Sequence, residues 1–97
     1  MMGDSATRRT RFKAVRSYVQ AAFPKHKVHS KAYENDNPWT LKVTRASHRV
    51  VHEVWIMRNF LDDHPDPVAT LTLWGLTAKM KMNGANPVTV STTGLST

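Results

Sequence analysis

Three groups of side chains in this 97-residue sequence have the types and spacing to do chemistry. The first is a series of cations. Up to position 31, Arg8, Arg9, Arg11, Lys13, Arg16, Lys25, Lys27 and Lys31 stand against one acid, Asp4, while the rest of the chain carries six basic and six acidic residues. The whole net charge of +7 therefore belongs to the first third. Such polarisation serves contact with phosphates or with an acidic protein surface. Arginines offer forked donors to phosphate and lysines offer point charges, while Tyr33, and Trp39 beside it, add aromatic surface for an unpaired base. The eight cations with His29 and Tyr33 form the expected binding set. The plainer account is a solvated helix face next to an edge strand whose lysines block aggregation. No RNP-like aromatic motif, GXXG loop or helix-turn-helix is present, so little sequence specificity is expected.

The second group is the histidines. His26 and His29 are three residues apart, and His48, His52 and Glu53 form H-x-x-x-H-E. On a helix His48 and His52 would share a face and could chelate. On a strand they would sit about 13 Å apart, too far for one ion. With no cysteine and no H-E-x-x-H, no metal site is expected, and the histidines are read as surface or phosphate-contacting groups. The third group, Asp62-Asp63-His64-Pro65-Asp66, could hold Mg²⁺ for phosphodiester chemistry. Asp and Pro are also what turns are made of, and no second carboxylate cluster accompanies them. Without a glycine-rich phosphate loop, a G-x-S-x-G or a cysteine nucleophile, the chain is expected to be neither an enzyme nor a cofactor carrier.

The elements that must position these groups follow from periodicity. Phe12, Val15, Val19, Ala22 and Phe23 make one stripe of a 3.6-residue period, predicting an amphipathic helix over 5–23 that Pro24 stops. Asp4, Ser5 or Thr7 could cap its start. Arg9, Lys13 and Arg16 lie on its flank. Over 25–34 the period becomes two, with Lys25, Lys27, His29, Lys31 and Tyr33 on one face of a strand. Asn35-Asp36-Asn37-Pro38 is a turn, and Trp39, Leu41 and Val43 alternate with polar residues in a second strand. Residues 50–61 carry apolar groups on both faces and read as a central strand, with a helix as the competitor. Over 69–82 the alternation of Ala69, Leu71 and Leu73 slips by one at Trp74-Gly75 and resumes at Leu76, which predicts a bulged strand. Asp66-Pro67 and Asn83-Gly84 would equally suit a helix start and stop. A hairpin turn at 83–86 would lead into a last strand over 88–92.

The expected fold is α+β: an N-terminal amphipathic helix packed on a four- to five-stranded antiparallel sheet in a single small basic domain, with 1–7 and 93–97 flexible. Trp39, Trp55 and Trp74 are expected in the core, Trp74 at the bulge being the best candidate for an exposed binding aromatic. The arginine-rich start shows no signal peptide, and no apolar run reaches membrane-span length, so a cytoplasmic protein is expected. The function expected is nucleic-acid binding, DNA or RNA undecided, by the helix-and-first-strand surface. The alternative is a protein-binding module, such as a small inhibitor, adaptor or assembly subunit. It would dock its basic face or add an exposed strand to a partner, with a homodimer conceivable. Small basic cysteine-free chains of this kind are frequent among phage and mobile-element products.

Overall fold

The structure, a computed structural model, describes residues 5–97. The expected flexible start and the cap at Asp4 lie partly or wholly outside the described residues. Helix α1 (Ser5–Ala22) forms where the apolar stripe predicted it. Phe12, Val15, Val19 and Phe23 are all buried. Pro24 stops the helix, and the Gln20 side-chain amide donates to the carbonyls of Phe23 and His26, tying the helix end to the connection that leads into the sheet.

Strands β1 (Lys27–Lys31), β2 (Trp39–Thr44) and β3 (Val50–Ile56) follow as an antiparallel meander. Three short helices come next: α2 (Arg58–Asp63), α3 (Pro67–Trp74) and α4 (Leu76–Asn83). Strand β4 (Pro87–Ser91) then pairs parallel to β3, and β5 (Gly94–Ser96) closes the sheet against β4. The sheet order is β1-β2-β3-β4-β5. The fold is the α+β class expected, and its sheet is mixed, mostly antiparallel with one parallel pair.

Two stretches read as strand prove helical. β3 stops at Ile56, and the remainder of the 50–61 run turns into α2, which buries Phe60 and Leu61. The predicted bulged strand over 69–82 is α3 followed by α4. Asp66 caps α3 by accepting from the Ala69 N–H, with Pro67 in the first turn. The threonines that argued for strand instead bond back one turn, Thr70 to the Asp66 carbonyl and Thr72 to that of Val68. Gly75, at φ 73° and ψ 40°, is a left-handed cap separating the two helices rather than a bulge. The predicted 83–86 hairpin turn is accordingly a helix-to-strand connection. Because a helical crossover returns the chain to the end where β3 began, β4 runs parallel to β3. Residues 94–96 are a paired strand where a flexible tail was expected. Helical residues outnumber strand residues, the reverse of the sequence expectation.

One core holds the molecule together. Val28, Trp39, Leu41, Val43, Val54, Ile56, Val88 and Val90 share one face of the sheet and pack with buried side chains of all four helices. The helices therefore cover that face, and the described residues leave the opposite face uncovered. No described helix is long and apolar enough to cross a membrane.

Candidate nucleic-acid interface

The N-terminal cations divide into two sets. Arg8 forms a two-pronged ion pair with Asp62, Nε to Oδ1 at 3.0 Å and Nη2 to Oδ2 at 3.2 Å. Arg11 Nη1 donates to the carbonyls of Leu61 and Asp62 at 2.7 and 3.1 Å, in the last turn of α2, where carbonyls lack helical partners. Both arginines thus pin α1 to α2. Arg9 lies 5.2 Å over the ring of buried Trp39 and 3.8 Å from the exposed Glu34 carboxylate. Its charge is part-compensated.

The remaining cations face outward. Arg16 reaches from α1 to the sheet edge, where its Nη2 donates to the Val28 carbonyl of β1 at 3.1 Å. That bond sets the helix flank beside the first strand, as the sequence expectation required. Lys13, Lys25 and Lys27 are exposed and form no ion pair among the described residues. On β1, Val28 points into the core, so Lys27, His29 and Lys31 alternate onto the open face, about 7 Å from one to the next. His29 Nε2 is 3.0 Å from Thr44 Oγ1, which fixes its ring against the sheet. The Lys31 ammonium sits 5.7 Å over the exposed ring of Tyr33, just beyond the strand end.

Strand register extends this surface beyond the expected residues. Across from His29 stands Lys42, and across from Lys42 stands Glu53. The adjacent row runs Lys31, Thr40, Trp55, Thr89. Arg45 and Arg49 occupy the β2–β3 turn, where the Arg45 N–H donates to the Arg49 carbonyl at 3.0 Å. Lys42, Arg45, Arg49 and Trp55 were not in the expected set. The signal for Lys42 was present, since the alternation that buries Leu41 and Val43 turns Lys42 to the side of Lys27, His29 and Lys31. Trp55 likewise has opposite parity to Val54 and Ile56. It is 38% exposed, whereas Trp39 is fully buried and Trp74 packs against Phe60 and His64. The exposed tryptophan is therefore Trp55 rather than Trp74.

The side chains of the other two chemical groups are dispersed over the molecule or used within the fold. His48 lies exposed in the β2–β3 turn, while His52 points to the helix side, stacked on Phe23 with ring centroids 4.8 Å apart. In the acidic loop, Asp62 holds Arg8, Asp63 accepts from the Thr92 hydroxyl, and Asp66 caps α3. His64 lies against Phe60 and Trp74, its Nε2 bonded to the Thr92 carbonyl. Among the described residues, no three His, Asp or Glu side chains gather as metal ligands. A comparison with models of protein families, with curated proteins and with solved structures finds no match to this chain.

Proposed function

We propose that this chain is a small cytoplasmic nucleic-acid-binding protein without catalytic activity. Its contact surface is the β1 edge, together with the open sheet face beside it. One observation carries the reading: Lys27, His29 and Lys31 of β1 and Lys42 of β2 project from a face that no described helix covers, with Lys13 and Arg16 of α1 along the same edge. β1 and β2 carry no acid, and neighbouring β3 carries one, Glu53. A surface of this kind grips phosphates and reads sequence weakly, because lysine offers charge without the fixed fork that reads a base edge. Partner binding by strand addition at β1 is disfavoured, since Arg16 already occupies the Val28 carbonyl on that edge.

Titration of a fluorescent duplex 12-mer at several salt concentrations tests the reading. With roughly four to six phosphates neutralised, the logarithm of affinity should fall against that of salt with a slope of about −4 to −5. A flat salt response, or no binding of the duplex or of its separated strands at low salt, overturns it and makes an acidic protein surface the partner to seek.

A further inference from the structure

Resting on the nucleic-acid reading, we infer that the open face takes a single strand, one of whose bases stacks on Trp55. The indole stands on an uncovered sheet face between Thr40 and Thr89. Its Nε1 donates to the Glu53 carboxylate, two residues back on the same face, so the ring's one polar atom is satisfied and its orientation is held. What remains to offer is the apolar π-surface.

A depression of about 280 Å³ opens beside it, lined by Lys31, Asp36, Thr40, Lys42, Glu53 and Trp55 among others. The depression is open rather than enclosed, so it suits one flat group laid against the sheet better than an engulfed small ligand. The charges around it sort the parts of a nucleotide. The Asp36 and Glu53 carboxylates repel phosphate from the depression and leave the place to a neutral base. Lys31 and Lys42, on the side toward β1, take the phosphates. Tyr33, 65% exposed beneath the Lys31 ammonium, supplies a second stacking ring where the basic row ends. Bases inside a duplex have both faces covered by neighbours, so only an unpaired base can use Trp55. A flat sheet face also has no projecting helix or ribbon to enter a groove.

Anisotropy titrations with unstructured single-stranded 12-mers of DNA and of RNA, and with the same DNA annealed to its complement, test this. Tryptophan emission is recorded alongside. Single strands should quench the emission, whereas the duplex should not. Trp55→Ala should weaken single-strand binding at least about fivefold while leaving duplex binding unchanged, and Trp55→Phe should recover part of the loss. Quenching is read on the native chain, so it holds whatever the variants do to folding. Equal single-strand affinity for native chain and Trp55→Ala, or equal quenching by duplex, would overturn the single-strand assignment and leave phosphate binding standing. No binding of any of the three at low salt takes down both. The DNA and RNA arms show which sugar the face prefers.

Discussion

Two cations two residues apart on α1 should respond in opposite ways to alanine. Arg11 donates to the carbonyls of Leu61 and Asp62 at 2.7 and 3.1 Å and is half-buried; Lys13 is exposed and forms no ion pair among the described residues. Hydrogen bonds from charged donors contribute about 1.5–3 kcal/mol net. Both of these come from one nitrogen, and water reaches part of the vacated site, so Arg11→Ala should cost about 2 kcal/mol rather than twice that. In a domain of this size about 1 kcal/mol moves the melting temperature by about 4–8 °C, so the variant should melt about 8–16 °C lower. Lys13→Ala should melt with the native chain and lower the salt slope of nucleic-acid binding by about one unit. Calorimetry and urea unfolding read the first effect, and anisotropy titration reads the second. Arg11→Ala melting within about 2 °C of the native chain would refute the division into fold-holding and partner-facing cations. So would Lys13→Ala melting as low as Arg11→Ala.

Further outcomes follow from the same geometry. Leu71→Ala, fully buried on α3, should cost about 2–4 kcal/mol in urea unfolding. Leu73→Ala, 83% exposed, should leave the urea midpoint in place, a contrast that no strand with both side chains on one face would give. Asp66→Ala removes the acceptor for the Ala69 N–H and should cost about 1 kcal/mol. Changing Lys27, Lys31 and Lys42 together to Glu should keep the circular dichroism spectrum, with helix its larger component, and abolish nucleic-acid binding. Retained binding would move the interface off the open face.

Where local pattern and tertiary packing agree, the sequence was readable. The stripe Phe12, Val15, Val19 and Phe23 is buried as its period required, and the alternation over Trp39, Leu41 and Val43 is buried on one side of β2. Over 67–83 the pattern misled, for a definite reason. The alternation Ala69, Leu71, Leu73 and the later Met80, Met82 depended on Leu73 and Met82, which lie 83% and 84% exposed. Without those two, the buried set is Pro67, Leu71, Leu76 and Met80, two helical i, i+4 pairs on either side of Gly75. The true punctuation, Asp66-Pro67 before and Asn83-Gly84 after, was visible but outweighed. Exposed apolar residues carry the same symbol in a pattern as buried ones, so periodicity alone cannot discount them.

The candidate interface depends on a choice that no local pattern encodes. Charge counting treats Arg8, Arg11, Lys13 and Lys27 alike, yet two of them are consumed by α2, whose partner atoms lie some fifty residues along the chain. The fate of Trp55 is decided in the same way. The three helices that join β3 to β4 lie on the side already occupied by α1, sharing its core. Had that crossover covered the other face, Trp55 would be interior, and the apolar reading of both sides of β3 would have been correct. Because it does not, the sheet keeps one free face, and the lysines opposite Val28 and beside Leu41 and Val43 point out of that face. The surface on which β1 and β2 display their charge therefore exists only because the crossover helices pack beside α1.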